Sequence, residues 1–291
     1  MFYSIAELVE QATEQYHGSI AELMIATEEE LTGRSREEIL SIMTKNLDVM
    51  KSSVNDGLND SKSISGLTGG DALKLDNYLK KGKTLSGHFV LSAARNAIAV
   101  NEQNAKMGLV CATPTAGSAG CLPAVLTTAI DKLKLGEKEQ LDFLFTAGAI
   151  GLVIANNASI SGAEGGCQAE VGSASAMGAA ALVMAAGGTP LQASQATAFV
   201  IKNLLGLICD PVAGLVEVPC VKRNAMGATL ALVCADMALA GITSKIPVDE
   251  VIDAMYQVGS SLPVAHRETA EGGLAITPTG RRYAQEIFGD F

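Results

Sequence analysis

The residues of this chain with the most distinctive chemistry are its six cysteines, and their sequence surroundings divide them into two groups. The first group consists of Cys111, Cys121 and Cys234, and the second of Cys167, Cys209 and Cys220. Members of the first group lie in or beside apolar runs, where a free cysteine behaves as a small hydrophobic residue, so we expect them in the core. Members of the second group lie in glycine- and proline-rich segments, GAEGGC and CDPVAGLVEVPC, and are candidates for chemistry.

Several kinds of chemistry can be weighed for the second group. Zinc takes four ligands, commonly from close pairs such as C-x-x-C, and the sequence contains no such pair. A nucleophilic cysteine needs a base such as histidine, and none of the three has one as a sequence neighbour. An iron–sulfur cluster uses thiolates and tolerates wide spacing, because the fold brings distant loops together. Spacing alone therefore leaves two alternatives open, a cluster with one open iron and a set of buried structural thiols.

The elements that must position these cysteines are helices. From residue 84 onward, Ala-rich apolar stretches alternate with short polar loops rich in glycine, and no alternating run is long enough to build a sheet. We therefore predict a mainly α fold, with long buried Ala/Gly-rich helices and glycine-rich loops converging on the site. Residues 1–57 contain three S-x-x-E capping patterns, at Ser4, Ser19 and Ser35. They predict an amphipathic, acidic helical layer, followed by a catalytic helical domain at 58–291 that can also be continuous with it.

Charge and hydropathy exclude several classes of partner. The net charge of −10 and the lack of a Lys/Arg run argue against nucleic acid and against an anionic membrane surface. The longest uncharged stretch, from Val171 to Ile201, is interrupted by GGTP, so it predicts two buried helices and no membrane span. The beginning, MFYSIAELVE, lacks the basic and apolar regions of a signal peptide, which predicts a cytoplasmic protein.

Four segments carry a resemblance that covers most of the chain: TPTAGSAGCLPAVL, NNASISGAEGGCQAEVGSASAMGAAA, LGLICDPVAGLVEVPCVKRNAMGA and RETAEGGLAITPTG. Together with LTGGDALK near residue 70, they resemble the iron–sulfur-dependent L-serine dehydratases, specifically the α chain of the two-chain type. The resemblance implies that Cys167, Cys209 and Cys220 hold a 4Fe-4S cluster. It also implies that the substrate is L-serine, that the products are pyruvate and ammonia, and that a separate β chain joins this one in a hetero-oligomer.

The implied reaction explains the need for an open iron. Dehydration of serine removes a weakly acidic Cα proton and a hydroxyl group that leaves poorly, so a Lewis acid and a base are both required. Three alternatives stay open: cysteine desulfidation or threonine dehydration on the same scaffold, a non-catalytic iron–sulfur sensor, and a helical protein with buried structural thiols. Pyridoxal phosphate needs a Schiff-base lysine and a phosphate cradle, for which LTGGDALK is weak, so none is expected.

Polar residues in the loops are candidates for substrate binding. The glycine pair Gly69 and Gly70 at a helix start suits a carboxylate, because backbone N–H groups there are unobstructed. The other candidates are Thr113, Thr115, Ser118, Asn157 and Ser159, for which ordinary turn and capping roles are equally open, with Asn156 and Ser161 beside them as donors to cluster sulfurs. Arg223, one helical turn after Cys220, and Arg267 could each clamp a carboxylate with a guanidinium fork or simply pair on the surface.

A base for the Cα proton is hard to find in the sequence. Histidine is the side chain whose ordinary pKa lies nearest neutrality, and only His17, His88 and His266 are available. His17 ends an acidic helix, while His88 and His266 lie just outside the family-like motifs and are weak candidates. We therefore expect the β chain to supply the base, or a lid that excludes water.

Overall fold

Residues 1–289 are described by a computed structural model, and within them the fold is helical. The helices are α1 (Ile5–Gln15), α2 (Ile20–Thr32), α3 (Arg36–Asp56), α4 (Asp71–Lys80), α5 (His88–Ala105), α6 (Cys121–Leu133), α7 (Glu137–Asn157), α8 (Gly162–Gly165), α9 (Ser173–Ala185), α10 (Pro190–Leu204), α11 (Cys220–Leu239), α12 (Val248–Ser261) and α13 (Pro278–Phe288). A π-helical turn, Gln168–Gly172, leads into α9. No strand occurs in this part of the chain, and the mainly α prediction is confirmed.

The first three helices begin where the capping patterns predict. Ser4, Ser19 and Ser35 each accept a hydrogen bond from the N–H three residues on, that of Glu7, Glu22 and Glu38 respectively. Of these three, only Ser35 is in a full capping box, since its own N–H donates to the Glu38 carboxylate at 2.9 Å. Apolar residues of all three helices, such as Leu8, Leu23 and Leu47, belong to the same core as those of α7, α9 and α10.

The core is built by close approach of small side chains. Helix α9 is buried from Ser173 to Val183, so it has no solvent-facing stripe and is surrounded by its neighbours. Gly227 of α11 lets α9 and α11 approach closely, because a Cβ there would clash with Ser175 Oγ of α9. The uncharged stretch forms α9 and α10 as two separate buried helices, as predicted. Among residues 1–289, no helix combines the length and apolarity needed to cross a membrane.

Three loops converge at one side of this core, and backbone hydrogen bonds join them. The Cys209 N–H donates to His266 O, and the Glu268 N–H donates to Cys209 O, both at 2.9 Å. These bonds form an isolated parallel bridge between Cys209 and Arg267. The Gln168 N–H donates to Leu207 O at 3.0 Å, so the π-helical turn is tied to the same segment.

Candidate metal centre

Two of the three predicted ligands lie together. Cys167 and Cys209 are both buried, and their Sγ atoms and a carboxylate oxygen of Glu170 all lie within 4.8 Å of one another. Gln168, the residue after Cys167, fixes this arrangement, since its Oε1 accepts from the Gly206 N–H at 2.9 Å and its Nε2 donates to Met255 O at 2.8 Å. The loops that carry the two thiols are therefore fastened to each other and to α12.

Cys220 approaches the pair from the start of α11. It is buried, but its sulfur is not within 4.8 Å of all three groups of that trio. Asn224, one turn on, donates through Nδ2 to Cys220 O at 3.0 Å and to Gly117 O at 2.7 Å, while its Oδ1 accepts from the Gly120 N–H at 3.1 Å. The first turn of α11 is thus held against the Thr115–Gly120 segment.

Arg223 links the cysteine loops electrostatically. Its Nη1 lies 3.5 Å from Cys167 Sγ, donates to Ile208 O at 2.8 Å, and lies 2.8 Å from Asp210 Oδ1. The contact with Oδ1 is an ion pair without hydrogen-bond geometry, whereas Asp210 Oδ2 accepts from the Leu274 N–H at 2.7 Å. The predicted role of Arg223 as a substrate clamp stays a prediction, and the contacts seen here are to the protein itself.

The three thiols have different proton affinities in the cluster-free chain. The pKa of Cys167 is lowered, chiefly by a hydrogen bond from the Cys209 thiol and then by the charge of Arg223, which together outweigh burial. The pKa of Cys209 is raised, first by its contact with Cys167 and then by burial. Burial raises the pKa of Cys220 to about 12. A thiolate at Cys167 thus already has its stabilising partners, while the other two thiols must lose protons when a metal binds.

Glu170 is a site residue that inspection of the sequence missed. Its carboxylate is buried beside the cysteine pair and accepts from Thr115 Oγ1 at 2.7 Å. Burial raises its pKa, and the nearby charge of Glu268 raises it further. A signal exists in GCQAE, because residues three apart on a helical turn share a face, which places Glu170 on the side of Cys167.

Two glycines leave room for this carboxylate. A Cβ at Gly117 would lie 3.0 Å from both oxygens of Glu170, and one at Gly162 would lie 2.7 Å from Oε2. The same Cβ at Gly162 would lie 3.1 Å from Glu268 Oε2, so both carboxylates border Gly162. Glu268 has a φ of 65°, in the left-handed region that non-glycine residues rarely adopt. Two acidic side chains therefore border the place where the thiols meet.

The other predicted substrate residues are dispersed. Ser118 donates to Thr113 O at 3.1 Å inside the loop that carries Thr115, and Thr113 Oγ1 is buried without a hydrogen-bond partner. Asn157 is exposed and binds Tyr3 O at 2.7 Å, and Ser159 donates to Glu164 at 2.6 Å. Arg267 donates to the carbonyl groups of Leu262 and Ser260, at the end of α12.

The weak histidine candidates differ in their surroundings. His88 is exposed at the start of α5, with Nδ1 3.2 Å from Ser92 Oγ. The carbonyl oxygen of His266 accepts a hydrogen bond from the Cys209 N–H, so its backbone adjoins the site. Its Nδ1 is buried without a hydrogen-bond partner. A base role for either residue stays a prediction.

The predicted anion cradle at Gly69 and Gly70 already binds an anion of the chain itself. The buried carboxylate of Glu102 accepts from the N–H groups of Gly70 at 3.2 Å, Asp71 at 2.8 Å and Ala72 at 3.4 Å. A substrate carboxylate would have to displace it.

The sequence predicts that the remaining cysteines, Cys111, Cys121 and Cys234, lie in the core. The assignment is confirmed for Cys121 and Cys234, which are fully buried. It is wrong for Cys111, which is half-buried, packs on the outside of the core, and has its Sγ 3.5 Å from Asn46 O. The sequence GLVCAT is apolar, but it forms a non-helical segment after α5.

The donor set at this site fits an iron–sulfur cluster. Three buried thiols are soft ligands of the kind that such clusters take, and a guanidinium beside Cys167 offsets their negative charge. The fold and the site together define a helical protein with a buried centre of thiols and carboxylates, suited to a metal or cluster.

Comparison with known proteins assigns the family. Residues 15–275 match the family described as "Serine dehydratase alpha chain". The chain belongs to this family.

Three relatives can be aligned with nearly the whole of this chain. The probable L-serine dehydratase, alpha chain, of Bacillus subtilis (strain 168) is 58% identical over 289 residues, which are 99% of this chain and 96% of that one. The L-serine dehydratase, alpha chain, of Peptoniphilus asaccharolyticus is 43% identical over 92% of both chains. L-serine dehydratase TdcG of Escherichia coli (strain K12) is 37% identical over 94% of this chain but only 62% of its own length. The last relative thus carries further sequence in the same polypeptide.

Proposed function

We propose that this chain is the catalytic α chain of an enzyme that converts L-serine to pyruvate and ammonia, with a 4Fe-4S cluster held by Cys167, Cys209 and Cys220. The observation that carries the proposal is the buried pair of Cys167 and Cys209 beside Arg223, with Cys220 also buried at the start of α11. It occurs in a chain 58% identical to a protein named a probable L-serine dehydratase α chain.

The chemistry divides between the cofactor and the protein. When bound, a cluster with one open iron supplies a Lewis acid for the β-hydroxyl group of the substrate. Glu170 is our candidate for the group that takes the Cα proton, because burial raises its pKa towards the range where a carboxylate is an effective base. Thr115 Oγ1, which donates to Glu170 Oε1, orients that carboxylate.

Other groups of the chain assist binding. The carboxylates of Glu170 and Glu268, which both border Gly162, would attract the α-ammonium group of an amino acid. Arg223 favours the anionic form of Cys167 and fixes the loop that carries Cys209. The segment from Arg267 to Leu274 donates backbone hydrogen bonds to Cys209 and Asp210 and so helps to fix the loop that carries Cys209.

We propose further that a β chain completes the enzyme. Two relatives bear the designation "alpha chain", and the match to the Escherichia coli relative leaves over a third of that longer chain unaligned. With Glu170 available in this chain, we expect the β chain to close the site and exclude water.

The test is to reconstitute the α chain anaerobically, then measure pyruvate from L-serine with and without the β chain. We expect slow turnover by the α chain alone and a large increase on addition of the partner. Equal rates would contradict the shared site, and no pyruvate under either condition would contradict the proposed activity. L-Cysteine and L-threonine in the same assay distinguish the related activities.

A further inference from the structure

The loop SISGLTGG at 63–70 holds a buried carboxylate that belongs to the cysteine-bearing loop. Glu217 is 5% exposed and accepts hydrogen bonds from Ser63 Oγ at 2.6 Å, Ser65 Oγ at 2.7 Å and Thr68 Oγ1 at 2.8 Å. We call these three donors the hydroxyl clamp. Within residues 1–289, no ion pair joins Glu217 to a cationic side chain. The hydroxyl clamp therefore supplies the hydrogen bonds that water would otherwise donate to this buried charge.

The loop that carries the clamp is closed and anchored. The Ser63 N–H donates to Thr68 O and the Gly66 N–H donates to Ser63 O, both at 3.0 Å. Gly66 has a φ of 77° and Gly69 a φ of 126°, values that glycine adopts readily. The next residues along, from Gly70 to Ala72, are fixed by Glu102 of α5. The hydroxyl groups are therefore presented by a segment with little freedom to follow Glu217 if it moves.

Glu217 itself is coupled to the start of α11. It lies between the two loop cysteines, three residues before Cys220, and its carbonyl oxygen accepts from the Val221 N–H at 3.0 Å. The Val212 N–H donates to Val218 O at 2.8 Å and closes the loop on the other side of Glu217. Any displacement of the Glu217 backbone is therefore passed to the first turn of α11, which begins with Cys220.

Such a clamp favours one position more strongly than apolar packing would. Hydrogen bonds to a charged acceptor are directional and stronger than neutral ones, and a buried carboxylate that loses its donors is costly. A ligand thiol that arrives from a separate helix, outside the close contact of Cys167 and Cys209, needs such a constraint.

We propose that the hydroxyl clamp on Glu217 positions Cys220 for cluster ligation, so that residues 63–68 determine how firmly the cluster is retained. The inference rests on the proposed function, because it presumes that Cys220 is a ligand. It gives the SISGLTGG motif a role in holding the cofactor through Glu217.

The experiment measures cluster retention, using full-length chains reconstituted anaerobically. The clamp variant is Ser63→Ala/Thr68→Val, and the matched control is Thr197→Val, another fully buried threonine, whose hydroxyl bonds only within α10. The decay of cluster absorbance in excess chelator is recorded for each protein, together with the melting temperature of its cluster-free form. Ser65→Ala, at a half-buried position, serves if the double variant does not fold.

We expect the clamp variant to lose its cluster at least about tenfold faster than wild type, the scale set by one lost hydrogen bond to a charged group. The control should lose its cluster as slowly as wild type. The single variant Thr68→Ser, which keeps a hydroxyl at this position, should do so too. Equal decay in clamp variant, control and wild type would overturn the inference while leaving the proposed function intact. A wild-type chain that takes up no cluster would overturn the proposed function, and with it this inference.

Discussion

The ion pair between Arg223 and Asp210 provides a quantitative test of how the cysteine loops are held. The Asp210 side chain is 3% exposed and that of Arg223 18%, and their charged atoms are 2.8 Å apart. Removal of one partner from a buried pair costs about 3–5 kcal/mol, because the other charge stays buried. Arg223→Gln should lower the free energy of unfolding by about 3 kcal/mol, the lower end of this range, because the Leu274 N–H still donates to Asp210. Asp210→Asn should cost less, because the partly exposed guanidinium keeps its bond to Ile208 O.

A double-mutant cycle separates the pair from its surroundings. Urea unfolding of the cluster-free chain would be measured for wild type, Arg223→Gln, Asp210→Asn and the double variant. We expect the double variant to be less destabilised than the sum of the single variants by about 1.5–3 kcal/mol, as for contacting residues. The exposed pair Lys138–Asp142, 2.6 Å apart, should couple by only about 0.5 kcal/mol or less. Additivity at Arg223 and Asp210 within about 0.5 kcal/mol would refute the role given to this pair.

Two further predictions concern Glu170 and Cys121. Glu170→Gln keeps the shape and can still accept from Thr115, so pyruvate formation should fall by about a hundredfold or more while cluster absorbance is retained. Unchanged activity would move the base to the β chain, and loss of the cluster would make Glu170 a ligand. Burial raises the pKa of Cys121 from 9.0 to about 12, so the folded chain keeps this proton where the unfolded chain releases it. The free energy of unfolding of the cluster-free chain should therefore fall above pH 9, by about 1.4 kcal/mol per pH unit from this thiol, and more gently in Cys121→Ala. Equal slopes in the two proteins between pH 9 and 11, measured by urea unfolding, would contradict this assignment.

What the sequence predicts well is local. Helix starts at Ser4, Ser19 and Ser35 depend on bonds three residues apart, and each is confirmed. The division of the cysteines succeeds for Cys121 and Cys234 because both lie within helices, at positions that face the core. It fails for Cys111, where a similar run leaves the helix and lies at the edge of the core.

The features that the sequence does not predict depend on contacts between residues far apart in the chain. The start of a helix attracts an anion, so an anion beside Gly70 can be predicted from the sequence. Nothing in the sequence indicates that this anion is Glu102, some thirty residues away. The bonds from Thr115 to Glu170 and from Ser63 to Glu217 join residues 55 and 154 positions apart. Their partners follow from packing of the helices, which periodicity alone does not specify.

The most direct test of the cluster assignment is the iron and acid-labile sulfide content of the anaerobically reconstituted chain and its cysteine variants. We predict about four iron and four sulfide per wild-type chain, the stoichiometry of a 4Fe-4S cluster. Cys167→Ser, Cys209→Ser and Cys220→Ser should each lose most of both, while Cys234→Ser, a buried thiol in the core, should retain them. A full complement of iron and sulfide in any of the three ligand variants would remove that residue from the site, and its presence in all three would contradict the account.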